Sequence, residues 1–360
     1  QGVSDAIRHS RTEGLALGFG LAHKWPNAVT ISGRVRYGVD DGAPKGRLAL
    51  DLRPPLGGAP IAELFVERQY RELGARERAG VTNSLASLLF GSDYTTPVDV
   101  QSAGVQWRPG GTGQWTLRAA WEREDALRVV ARPFSGRYAP VRPTWTLDGV
   151  RVDLTRAARF GAAGERQGSW TLRSIGSMAN GTLREGDRAA GSAHDGESVR
   201  PAALRLEGDA RVEWPLAGGR ALVASVTGGT TVGRDVPPQW LQFAGGPWSG
   251  PGYAFHAFVG RTVVSPRVEL RLPVPFPSVP IGKYGRTPAR AQLVPFAQAV
   301  LLEGAWDDPR VSAFEDGVYP AAGLGVLLFY DLLRLDVSRG LHRGQWRFAV
   351  DVDRAFWGIL

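Results

Sequence analysis

Cysteine is absent from this 360-residue chain, and methionine occurs once, at Met178. Without a thiol there is no disulfide framework and no Cys-ligated metal or redox centre. No run of eighteen apolar residues occurs, which excludes a transmembrane helix. Lysine is scarce too: Lys24, Lys45 and Lys283 are the three among 43 basic residues. A GC-rich genome accounts for that bias; the functional alternative is an arginine-lined surface for phosphate or nucleic acid. The five histidines, His9, His23, His194, His256 and His342, are scattered. None falls in a His-x-x-x-His or His-Glu-x-x-His spacing, so no metal site is expected. Gly-x-Ser-x-Gly, P-loop and dinucleotide fingerprints are all missing, and no cofactor is expected. Ser225 and Ser265 sit where a lipid-facing hydrolase serine could, but neither has a nearby His. Asp187, Asp195 and Glu197 read as a solvated loop rather than a cation site. The chain is expected not to be an enzyme.

What is present is glycine, proline and aromatics: Gly 47, Pro 25, Trp 12, Phe 14 and Tyr 8. That many aromatic side chains argues against disorder. The formal charge is 43 − 35 = +8. Arg alternates with Glu and Asp along many segments instead of clustering with aromatics. No nucleic-acid partner is therefore expected, and most charge should pair across a polar wall. The residual excess favours anionic partners such as lipopolysaccharide phosphates. A start without Met and the lack of Cys both suit an exported chain whose signal peptide was removed.

Alternation is the dominant pattern, and a period of two means strands with two different faces. Leu15, Leu17, Phe19 and Leu21 alternate with Gly14, Ala16, Gly18 and Gly20. From Leu204 to Trp214, apolar residues alternate with Arg205, Glu207, Asp209, Arg211 and Glu213. Turn chemistry such as Asp40-Asp41-Gly42 and Ala217-Gly218-Gly219 separates the runs. About sixteen strand candidates result. Only Thr82 to Gly91 has helical spacing, with Asn83 placed to cap its start and Gly91 to stop it. Tyr70 to Val98 fits no single hairpin, and Asn180 to Pro201 is the most loop-like stretch. No composition break marks a boundary, so residues 12–360 read as one domain after a short lead, 1–11.

Alternation alone leaves open which face is wet. Strand number, runs long enough to cross a thin bilayer, and Trp25, Trp107, Trp214 and Trp346 near strand ends favour a membrane barrel. A soluble all-β binding protein remains the alternative from another class.

The last third carries a resemblance. Phe243-Ala244-Gly245-Gly246-Pro247-Trp248-Ser249-Gly250-Pro251-Gly252-Tyr253 resembles the inward-folded loop of the Omp85 (BamA/TamA-like, bacterial surface antigen) barrel superfamily. Arg267 to Pro273, Val294 to Ala299, Ala322 to Val326, Leu333 to Val337 and Gln345 to Phe356 follow in the order of that family's final strands. Phe356 or Trp357 resembles its closing aromatic, and Arg11 to Leu15 is similar to the opening strand of some relatives. Residues 26–240 match only in strand character.

The resemblance implies a closed antiparallel transmembrane β-barrel of about sixteen strands with an inward loop of Gly245, Gly246, Pro251, Gly252 and Tyr253. It implies inner-wall partners Arg267, Glu269, Arg271 and Gln298. In the family a loop Arg pairs with wall carboxylates. Here Pro251 stands at the Arg position and Gln298 at that of the wall Asp, a pattern that reads as a retired latch. Glu269 must then find another cation, and Arg267 and Arg271 are the candidates. The family also implies a weak lateral seam between the first strand, Gly14 to Trp25, and the last, Trp346 to Val352. Gly14, Gly18, Gly20, Phe348 and Val350 are its candidate residues. Only about eleven residues, the lead 1–11, precede the barrel, too few for the POTRA domains of family members that assemble or export proteins. The expectation is thus a non-enzymatic outer-membrane barrel: a membrane anchor, a structural subunit, or a degenerate assembly or translocation barrel. Outer-membrane lipid, lipopolysaccharide and other envelope proteins are its expected partners. A passive anion-preferring pore is the alternative.

Overall fold

A computed structural model describes residues 7–25, 29–52, 61–74, 80–109, 114–162, 165–182, 198–280, 285–307 and 311–352. Phe356, Trp357, His194, Asp187, Asp195 and Glu197 lie outside these. Among the described residues one antiparallel sheet contains eighteen strands rather than sixteen. In chain order they are β1 (Ile7–Ser10), β2 (Gly14–Lys24), β3 (Val29–Gly38), β4 (Pro44–Leu52), β5 (Ala62–Glu72), β6 (Pro97–Trp107), β7 (Trp115–Asp125), β8 (Thr146–Phe160) and β9 (Gln167–Thr182). There follow β10 (Ser198–Val199), β11 (Ala202–Leu216), β12 (Arg220–Arg234), β13 (Gln242–Ala244), β14 (Phe258–Pro275), β15 (Arg290–Ala305), β16 (Gly317–Leu328), β17 (Leu333–Gly340) and β18 (Trp346–Val352). Two of these, β10 and β13, are pieces of 2 and 3 residues inside connections, which alternation over a long window does not reveal. One helix, α1 (Gly80–Phe90), interrupts the segment between β5 and β6.

Ladders run from β1–β2 round to β17–β18, but none joins β1 to β18 among the described residues. Among the described residues the sheet is therefore not closed, contrary to expectation. The first strand is also not the one beginning at Gly14. Ile7–Ser10 forms a hairpin with it, pairing Ile7 with Leu17 and Ser10 with Gly14. Four residues with one large apolar side chain leave no periodic trace, so β1 was hidden in the lead.

Alternation becomes an inside-out distribution. Leu15, Leu17, Phe19 and Leu21 on β2 are exposed, as are Leu48, Leu64, Val66, Val105, Leu172 and Val268 around the sheet. The buried set is charged: Glu63, Glu67, Glu122, Asp153, Arg205, Arg267, Glu269, Arg334 and Asp336. A soluble protein would bury the first set and hydrate the second. Carboxylates and guanidiniums are tolerated inside because each finds its opposite. Arg118 reaches Glu67 at 3.2 Å and Glu122 at 2.6 Å, and Asp153 takes Arg151 at 3.1 Å and Arg173 at 2.9 Å. Trp25, Trp107 and Trp115 lie exposed at one end of the strands and Trp346 at the other, as interfacial rings would.

The two ends differ. Short turns join β2–β3, β11–β12 and β16–β17 at one end. Long connections collect at the other: 73–96, 126–145 and 235–257. Their described parts, with Val311 from between β15 and β16, fold over the end of the lumen and pack Leu73, Trp145, Val236, Trp240, Leu241, Phe243 and Val311 onto Val98, Val100 and Leu147 of the wall. Below that apolar cap a cavity of about 300 Å³ remains, lined by Arg71, Arg151, Arg173, Arg205 and the carboxylates between them.

Candidate functional site

The connection 235–257 begins with a single 3₁₀ turn at Pro238–Trp240, then doubles back as β13 against the start of β14. Its remainder is glycine-rich because it must approach the wall closely. Gly245 has φ +114° and would set a Cβ 2.3 Å from the Ala254 carbonyl oxygen. Gly252 has φ +83°, and a Cβ there would fall 2.0 Å from the backbone nitrogen of Gly340 on β17. Only glycine meets both demands.

Three contacts fasten the loop to the inner wall. Tyr253 is 2% exposed; its hydroxyl donates to the Pro320 carbonyl at 2.8 Å and accepts from the His342 amide at 3.3 Å. Burial holds that phenol above the ordinary tyrosine range. Phe258, Phe314 and Tyr319 surround its ring. At the loop tip, the Gln298 amide donates to the Trp248 carbonyl and to the Ser265 hydroxyl, each at 2.6 Å. The Ser265 hydroxyl donates in turn to the Ser249 carbonyl at 2.8 Å. Finally, the Trp248 indole N–H donates to Asp351 of β18 at 3.1 Å, and its ring has Arg267 at 5.3 Å and Arg334 at 5.0 Å.

The loop is thus fastened without the ion pair that the resemblance implies. Where the resemblance implies a loop cation on wall anions, this protein puts cations on the wall and an aromatic ring with carbonyls on the loop. Gln298 suits that arrangement because one amide both donates to the loop and accepts from Arg267, at 3.3 Å. Glu269, 2% exposed, accepts from Arg267 Nε at 2.6 Å and from Arg334 Nη2 at 2.8 Å. Arg271 does not reach it and lies 3.7 Å from Glu213 and from Asp331. Gly245, Gly246, Pro251 and Gly252 are all buried in the folded loop.

Arg334, Trp248, Ser265 and Asp351 were not singled out from sequence. The alternation Arg334-Leu335-Asp336 was readable as a wall strand, but nothing local showed that β17 would lie opposite Glu269. The proposed seam residues are not gathered into one place. Gly14, Gly18 and Gly20 face the lumen from β2, which is the second strand, while Phe348 and Val350 point outward from β18.

His256 closes the loop. It has φ +50°, is 1% exposed, and shares a hydrogen bond of 3.0 Å between its Nδ1 and the Thr96 hydroxyl. Its carbonyl accepts from Arg142. Burial first, then the cations Arg142 and Arg11, hold the imidazole well below the ordinary histidine range.

No protein-family model matches the sequence, and no match is found among curated proteins. Solved structures do match. BamA from Haemophilus ducreyi lacking POTRA domains 1–3 superposes with a TM-score of 0.54 at 13% identity, covering 96% of this chain and 69% of that one. The likeness is one of fold. This chain has a BamA-like β-barrel fold. A loop L8 deletion mutant of OmpT, an outer membrane protein of Vibrio cholerae, gives a TM-score of 0.37 at 10% identity, covering 93% of this chain and 88% of that one.

Proposed function

We propose that the chain is a non-enzymatic outer-membrane β-barrel of the Omp85 type that works through its wall and seam, not through its lumen. The observation that carries this is the pairing of a capped lumen with an unlaced edge. An open pore needs the lumen that the loop 235–257 fills, whereas β1 and β18 share no ladder among the described residues. The long connections would face outward and the short turns the periplasm. Such a barrel serves as a membrane anchor or structural subunit of an envelope complex, or as a degenerate assembly barrel. Lipid, lipopolysaccharide and other envelope proteins are its partners in this reading.

The test is the folding of an unfolded eight-stranded outer-membrane barrel into vesicles that carry this protein. Folding faster than into empty vesicles supports the assembly role. Unchanged folding beside a stably inserted protein supports the anchor. Failure of the protein itself to remain with the vesicles overturns both.

A further inference from the structure

A strand edge with no neighbour is a liability in water and a severe one in lipid, where each unsatisfied backbone group costs several kcal/mol. Among the described residues β1 has such an edge. Opposite Leu15, the His9 amide points away from β2, since Leu15 spends its carbonyl on Val39 on the far side. That edge is nevertheless engaged. The His9 amide donates to the Ser84 hydroxyl at 3.1 Å and the Arg11 amide to Asp93 at 2.7 Å. The Arg11 carbonyl accepts from the amides of Val130 at 3.0 Å and Ala131 at 3.2 Å. On the outer face of β1 the His9 ring meets the Ser87 hydroxyl at 3.2 Å. Every one of these partners comes from α1, the residues just after it, or the connection 126–145.

The helix is built inside out. Its buried side is polar, with Asn83 at 6% and Ser87 at 0% exposure. Leu85, Leu88 and Leu89, at the i, i+3, i+4 spacing of one stripe, are 55%, 41% and 40% exposed. No residue of the helix carries a charge. A helix turned to water shows charged or polar groups there; this one shows leucine. The stripe is continuous with the outer apolar wall, because Ile7 and Leu15 beside His9 are exposed as well. Phe134, 88% exposed, extends it, its amide bonded to the Leu88 carbonyl.

We propose that α1 takes the place of a strand at the seam: its serine face caps the free edge of β1, and its leucine stripe lies among the acyl chains of the bilayer. The inference rests on the membrane reading above and adds a helical element to the lipid-facing wall. Strand pairing at this edge then requires α1 to leave first.

The absence of cysteine makes the test clean. Single cysteines at Leu85, Leu88 and Leu89 carry a nitroxide in vesicle-reconstituted protein, with Leu64 and Val105 as wall references and Ala217 in a turn as the water reference. Oxygen and a water-soluble nickel chelate compete as relaxants. The account predicts oxygen-to-nickel ratios at the helix positions matching 64 and 105. Ratios matching 217 at the helix, with 64 and 105 still lipid-like, overturn the proposal and leave the barrel standing. Low access to both relaxants overturns it too, since protein then covers the stripe. Nickel access at 64 and 105 as well overturns the membrane reading and this proposal together. Separately, Ser84→Ala with Asp93→Ala should raise amide exchange at His9 and Arg11 about tenfold. Unchanged exchange there would mean that α1 does not cap the edge.

Discussion

The ring of Tyr253 lies flat against Gly340, so that a Cβ on Gly340 would sit 2.5 Å from the phenol Cζ. The loop and β17 are thereby mutually fitted, with glycine on each side of the contact. Gly340→Ala should expel the ring and lower the thermal midpoint of detergent-solubilised protein. Tyr253→Phe keeps the ring and loses the bond to the Pro320 carbonyl, a change of about 1 kcal/mol. Adding Tyr253→Ala to Gly340→Ala should destabilise less than the sum of the two single changes, which thermal unfolding of all three variants checks.

Glu269 accepts from two arginines, and its replacement leaves them, among the described residues, only Asp336 as a carboxylate partner, at 2.8 Å from Arg334 and 3.5 Å from Arg267. Glu269→Gln should destabilise by about 3–5 kcal/mol, the scale for removing one partner of a buried ion pair. Pairing it with Arg334→Gln should recover part of that loss. Urea unfolding of the folded, detergent-bound protein measures both.

Gln298 reaches the loop through its amide nitrogen, not through charge. Gln298→Glu retains an acceptor for Arg267 but turns an oxygen toward the Trp248 carbonyl. The loop tip should loosen, seen as faster amide exchange at Trp248 and Ser249 than in the parent. Equal exchange would mean that Gln298 does not hold the tip.

Acid should open the cap. His256 has a folded-state pKa below its unfolded one, so in acid the unfolded loop takes up a proton that the folded loop resists. The folded cap has its full stability above about pH 6.5 and loses it as pH falls from there toward the depressed folded value. Protease cleavage within 245–257 should therefore rise between pH 7.5 and 5, and His256→Gln should flatten that dependence.

Much of the wall was legible because a period of two survives in any single strand: Leu15 to Leu21 outward, Arg205 to Glu213 inward. The helix was legible from Leu85, Leu88 and Leu89, although it starts at Gly80. Asn83 lies inside its first turn and binds Asp93 and the Tyr94 amide instead of capping the helix. What stayed hidden depends on distant neighbours. Trp248 sits between arginines of β14 and β17, and β1 is recognisable as a strand only through its hairpin with β2 and its serine contacts on α1. Such partners leave no local periodicity.

The central claim is a barrel whose lumen is closed by its own loop, and planar-bilayer conductance tests it most directly. The account predicts that purified protein inserts without steady channels of porin size. Steady, porin-sized channels from the unaltered chain would contradict it.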